Sequence, residues 1–297
     1  MTGAGARPSI AGWLFVAPAL SAIAAFFAVP VVAALALSFT DFDIYALADL
    51  NNLRFVGLDN YLQLLKTPLF WIALGNTLFF VALGVPASIA LALGSALLLD
   101  SQLARFKAAF RTALFAPVVT TLVAVAVIWT YLLHTRYGLI NYGLSLLGLP
   151  RVNWLGDPSW AMPALALFSV WKNFGYNMVI FLAALQSIPA DLYEAARIDG
   201  ASGVQQFRFV TLPSLAPTLL LVSILSVAGY VQLFAEPYVM TQGGPMQSTV
   251  SVLYFMYEEG FKYWNLGAAS AVAFMLFFLM FVITRAQLLL ARRWSTP

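Results

Sequence analysis

The chain has 297 residues, of which 62% are hydrophobic and only 9% charged, with a mean hydropathy of +0.87. A soluble domain carries about a quarter charged residues, so this composition excludes any sizeable water-soluble domain and predicts an all-α, polytopic membrane protein. The net charge of +3 calls for no nucleic acid, the absence of cysteine excludes disulfides and thiolate metal sites, and a single histidine, His134, leaves no cluster for zinc.

Apolar runs of bilayer length predict six spans within residues 13–290, at about 13–38, 70–99, 113–133, 162–185, 215–234 and 267–290. A short polar N-terminus, 1–12, precedes them and a tail, 291–297, follows. The first run is too long and its flank too weakly basic for a cleavable signal, and Pro18 and Pro30 kink it. In the second, Asn76, Thr77 and Gly84-Val85-Pro86 predict a bend. The third has Pro117 in its first turns, with His134 solvated just beyond its end. Between the fifth and sixth spans, Ser251 to Phe261 is apolar and aromatic but too short to cross, which reads as a helix lying on the outer face.

Six spans place both termini on one side. Arg7, Arg105, Lys107, Arg111, Arg197, Arg208, Arg285, Arg292 and Arg293 fall on that side, against Arg54, Lys66, Arg136, Arg151 and Lys262 on the other. The positive-inside rule makes the richer side cytoplasmic.

The loop from Gln186 to Pro217 carries the strongest local signals. Pro189 can open a helix, Asp191 and Glu194 suit its positive end, and Gly200 can close it by adopting φ > 0. Ser202 with Gln205 forms a capping box for a second short helix, through about Val210. The letters Glu194-Ala195-Ala196, Asp199-Gly200-Ala201 and Leu212-Pro213 resemble the EAA loop of ABC importer permeases. FVGLDNY (55–61), GLIN (138–141), LQSIP (185–189) and TQGGP (241–245) extend the likeness to the maltose-type carbohydrate branch, and to the first permease of its pair.

That resemblance implies a type I ABC importer transmembrane domain whose loop 186–213 seats in a cytoplasmic ATPase. Glu194 would anchor it, with Tyr193, Ala195, Ala196, Asp199 and Gly200 shaping the surface; an internal Glu194–Arg197 pair is the structural alternative. It implies a second permease, two ATPases that bind the ATP and Mg, and an extracytoplasmic solute-binding protein facing Gly243, Gly244 and Pro245. The chain lacks a GxxxxGK[ST] run, so ATP hydrolysis falls to those partners.

Polar residues inside spans face a cavity or another helix. Asn173, Tyr176 and Asn177 share one helical face, and Ser226 and Tyr230 another. Amide, hydroxyl and aromatic groups suit a sugar, although such residues also glue helices together. Lys172 reads as snorkelling to the outer interface, and Glu236, beside Pro237 at the end of the fifth span, as an interfacial cap, with gating or binding as its alternative. An ion-coupled transporter would need an intramembrane carboxylate, and the acids cluster in loops.

Overall fold

A computed structural model describes residues 10–101 and 105–292; Arg7, Arg293, most of the expected 1–12 tail and nearly all of the 291–297 tail lie outside them. In chain order, α1 (Ile10–Ile23), a π-turn and α2 (Val29–Leu37) form the first apolar segment. Two short helices follow, α3 (Ile44–Ala48) and α4 (Asp59–Lys66), and then the long α5 (Pro68–Asp100). Next come α6 (Lys107–Val119), α7 (Leu122–Leu132), α8 (Leu139–Leu146) and α9 (Pro158–Gln186). The loop helices are α10 (Ala190–Ile198), α11 (Gly203–Gln206) and α12 (Leu212–Ser214), with a π-turn at Phe207–Thr211. The chain ends with α13 (Ala216–Val231), α14 (Ala235–Met240), α15 (Val252–Tyr257), another π-turn and α16 (Leu266–Arg292). Strand structure among the described residues is limited to one bridge, Thr40 with Phe55.

Five segments are long and apolar enough to cross a membrane, and a sixth exists if α6 and α7, bent by 101°, count as one. The third predicted span is therefore broken. α6 continues through Pro117 to Val119 and stops where Thr120 turns extended, at φ −76° and ψ 151°. The second span departs in the opposite sense: α5 runs uninterrupted through Pro86. The fifth apolar segment continues to Met240, beyond the predicted end at 234, because α14 follows α13 after a short break. The helix expected between spans five and six is present as α15 with its π-turn.

The described chain divides into two units, one drawn from residues up to Thr67 with Met256–Met275, the other from Pro68–Phe255 and from Leu276 onward. In the first unit the FVGLDNY segment ties off the end of α2. The Asn60 amide donates to the Ser38 and Thr40 carbonyls at 2.9 and 2.8 Å, and the Tyr61 hydroxyl donates to Ser38 Oγ at 2.8 Å. Close approach is enforced at Gly267, where a Cβ would fall 2.2 Å from the Thr40 carbonyl oxygen.

The second unit is built on α5 against α9 and α13. Its core joins Ala92, Ala96 and Leu99 of α5 to Phe174, Met178 and Phe181 of α9, with Leu215 and Val222 closing the third side. Lipid tails are as apolar as leucine, so such helices associate through close packing, and small residues permit it. Ala73, Thr77, Gly84, Ser88, Ala92 and Ala96 supply a buried small-residue stripe along α5 at near fourfold spacing. At Gly84 a Cβ would sit 2.2 Å from the Tyr230 ring, and at Gly175 one would sit 2.4 Å from the Leu114 carbonyl oxygen. The glycine of the expected α5 bend is thus a packing residue.

Candidate functional site

Two features of the second unit meet the criteria for a working site: a protruding helical loop, and a cavity between the helices that lead into and out of it.

In the loop, α10 ends in a Schellman motif. The Gly200 N–H donates to the Arg197 carbonyl at 3.0 Å and the Ala201 N–H to that of Ala196 at 2.9 Å, with Gly200 at φ +77°. Ser202 and Gln205 close the expected capping box: the Ser202 N–H donates to Gln205 Oε1 at 2.7 Å and the Gln205 N–H to Ser202 Oγ at 3.4 Å. Pro189 stands one place outside the helix, at the N-cap, with Ala190 the first helical residue. The second helical stretch passes from α11 through the π-turn to Thr211.

Tyr193 also makes a contact within the loop that the sequence does not show. Its hydroxyl lies 2.9 Å from Thr211 Oγ1, bracing the first loop helix against the second. Glu194, Asp199 and Ala195 are exposed and Ala196 is half-buried. The Glu194 carboxylate has no partner among the described residues, and the alternative Glu194–Arg197 ion pair does not form. Ile198 and Val204, 86% and 77% exposed, add apolar surface to the same loop. Exposed apolar side chains and an unpaired carboxylate on one braced loop are the features a docking surface requires.

The cavity has a volume of about 520 Å³. All five residues expected on the pathway line it: Asn173, Tyr176, Asn177, Ser226 and Tyr230. They are not equivalent. The Asn177 amide is buried and already donates to Ser226 Oγ at 3.0 Å and to Ser88 Oγ at 3.3 Å. Asn173 donates to the Ser169 carbonyl at 3.0 Å yet stays exposed, and Tyr176 is 51% exposed. Tyr230 packs on Phe80 with ring centroids 5.3 Å apart, and its hydroxyl, turned toward Ser88, makes no hydrogen bond of ordinary geometry.

Two charged residues depart from their expected places. Lys172 does not snorkel. It is 6% exposed, and its ammonium donates to the carbonyls of Pro117, Val118 and Thr120 at 2.8, 3.1 and 2.9 Å. These carbonyls lie at the α6–α7 break, where the last helical carbonyls lack i+4 donors, and although that of Pro117 also accepts from the Thr120 N–H and hydroxyl, the lysine acts as a long-range C-cap. Glu236 is not an interfacial cap either. It lies within the Ala216–Met240 apolar segment, lines the cavity, and accepts from Ser169 Oγ at 2.7 Å. The clue to both lies in the sequence, since a charge within or beside an apolar run needs a partner. The partner itself does not.

The TQGGP segment is pinned to α5. The Asn76 amide donates to the carbonyls of Gln247 and Val250 at 2.9 and 3.0 Å, and the Val252 N–H donates to Thr77 Oγ1 at 3.0 Å. Gly243 takes φ +81° and is buried against Val250 and Tyr254, while Gly244 and Pro245 are half-buried. Of the two glycines Gly243 alone has positive φ, and Gln242, Met246 and Gln247 supply the rest of the left-handed positions in the turn. Those three are the exposed side chains of the turn.

A helical loop braced for docking, joined directly to two cavity-lining helices in an apolar bundle, defines a membrane-embedded transport subunit. Residues 8–296 match the family described as binding-protein-dependent transport system inner membrane component, and the chain belongs to that family. It is therefore an ABC importer permease, a non-catalytic subunit of the inner membrane. The chain is 36% identical to the lactose transport system permease protein LacF of Rhizobium radiobacter, over 95% of this chain and 94% of that one. It is 34% identical to the trehalose/maltose transport system permease protein MalF of Thermococcus litoralis, over 96% and 95%. Among solved structures it superposes on a bacterial ABC transporter involved in import of the acidic polysaccharide alginate, with TM-score 0.79, 25% identity and 96% coverage of both chains.

Proposed function

We propose that this permease carries a saccharide, delivered by an extracytoplasmic binding protein, through a pathway shared with a second permease. Two separate ATPases drive it. The observation that carries the reading is the direct linkage of the cavity to the loop: α9 and α13 hold Asn173, Tyr176, Asn177, Ser226 and Tyr230 of its lining and flank the braced helix bearing unpaired Glu194. In this reading Glu194 pairs with a basic group in the ATPase cleft, and Ala195 and Ala196 allow close seating. Gly200 fixes the bend, and Asp199 lies on the same surface. Closure of the ATPases pushes the loop as a rigid body and moves α9 against α13 between two packings.

The sugar assignment rests on the lining, which mixes amides, hydroxyls and tyrosine rings, and on relatives named for lactose and for trehalose/maltose. The binding protein docks on the outer face near Gly243, Gly244 and Pro245, touching chiefly exposed Gln242, Met246 and Gln247. The termini and loop 186–213 are cytoplasmic, as their basic residues favour.

Acids confined to loops would argue against an ion-coupled carrier. Glu236 breaks that pattern, and it is family membership that sets the alternative aside. The test is Glu194→Ala in the assembled importer: it inserts normally but loses uptake, because an unpaired buried cation in the ATPase cleft costs about 3–5 kcal/mol of docking. Normal uptake in this variant refutes the coupling role.

A further inference from the structure

The relatives include one named for neutral lactose and a structure from a system importing an acidic polysaccharide, so family membership alone does not assign the charge of the cargo. The cavity does. Glu236 is the charged side chain that lines it, and no basic residue does so among the described residues. The carboxylate is held in place by the Ser169 hydroxyl at 2.7 Å, which uses one oxygen and leaves the other without a partner among the described residues.

The nearby cation is not available to a ligand. Lys172 lies close enough to feel Glu236 electrostatically, but it is outside the lining, and three carbonyls at 2.8–3.1 Å occupy its three N–H donors. Those carbonyls also turn the negative end of α6 toward it. Tyr230 contributes its ring to the lining while its hydroxyl is buried on the Ser88 side, so the polar side chains that stand open to the cavity beside Glu236 are Asn173 and the 51% exposed Tyr176.

We infer that this cavity selects uncharged saccharides and turns away uronates, with Glu236 as the specificity-determining residue. The inference rests on the saccharide reading. A sugar hydroxyl can donate to the open Glu236 oxygen, and others can meet the exposed Asn173 and Tyr176 side chains. A sugar carboxylate entering the same place leaves water, meets a like charge and finds no cation, which is discrimination by an unpaired charge.

The experiment uses the assembled permease–ATPase complex in lipid nanodiscs without the binding protein, whose own selectivity is thereby removed. Binding is measured by equilibrium dialysis for the neutral probes lactose, maltose and galactotriose, and for the acidic probes lactobionate and trigalacturonate. The expected result is at least about tenfold tighter binding of a neutral probe than of its acidic counterpart, narrowing to about threefold or less in E236Q through tighter binding of the acid. Glutamine keeps an acceptor for Ser169. Equal or tighter binding of the acids by the wild type overturns the inference while leaving a saccharide pathway standing. A wild-type preference that survives unchanged in folded E236Q overturns the role of Glu236. Binding of no probe at all overturns the saccharide reading with it. Should E236Q fail to assemble, the wild-type ratio alone decides.

Discussion

A lysine ammonium inside an apolar bundle must find acceptors for three donors, and Lys172 finds them where α6 breaks off before α7. Lys172→Met keeps the stem and removes the donors, leaving the Val118 and Thr120 carbonyls without the partner they have in the wild type. The expected loss is about 1–3 kcal/mol, read as a lower thermal unfolding temperature of the purified complex. The glycines make a sharper pair. Gly175→Ala drives a Cβ to 2.4 Å from the Leu114 carbonyl, so α6 must back away from α9. A similar loss of about 1–3 kcal/mol follows from overpacking. Gly229 on α13 has nothing within 4 Å of the place a methyl would take, so Gly229→Ala is neutral or stabilises by up to about 1 kcal/mol through helix propensity. Equal unfolding temperatures for the two alanine variants would contradict the packing described at Gly175. Each glycine is followed by a tyrosine within a helix, and it is the partner helix that distinguishes their packing.

At the scale of elements, the loop helices are the most legible part of the chain. Capping is a contact between residues three to five apart, so Gly200, Ala201, Ser202 and Gln205 specify the bend without help from the rest of the protein. Gly200→Ala meets no atom within 4 Å, and its whole effect is the strain of φ +77°, about 1 kcal/mol. Tyr193→Phe removes the brace to Thr211 and nothing else. Both variants are expected to speed amide exchange across residues 190–206 and to lower uptake partially, by less than Glu194→Ala. An exchange pattern identical to wild type would show that the bend is held by other means. The broken third span and the unbroken second show the opposite case. Pro86 and Pro117 carry the same local signal, yet α5 absorbs its proline within a tightly packed core, whereas α6 ends and hands its carbonyls to Lys172. Propensity alone cannot choose between those outcomes, because neighbouring helices resatisfy the freed groups in one and a side chain does so in the other.

For the whole molecule, the composition settles the solvent and the family match settles the class of machine. An ATP-driven importer continues uptake when proton and sodium gradients are collapsed while ATP is maintained; uptake that stops under those conditions would show that an ion gradient drives it. By itself the sequence determined the number of apolar segments to within the broken one, the caps of the loop, and which polar residues share a helical face, because each depends on spacing along a single helix. Only the tertiary structure decided that Asn177 is tied to Ser88 and Ser226, that the Tyr230 ring packs on Phe80 with its hydroxyl buried, and that Lys172 and Glu236 lie within the bundle. Those facts join residues 49 or more positions apart, or depend on what fails to meet them. In a low-dielectric interior the fate of a polar group is set by its partner across the helix interface, which no window along the chain contains.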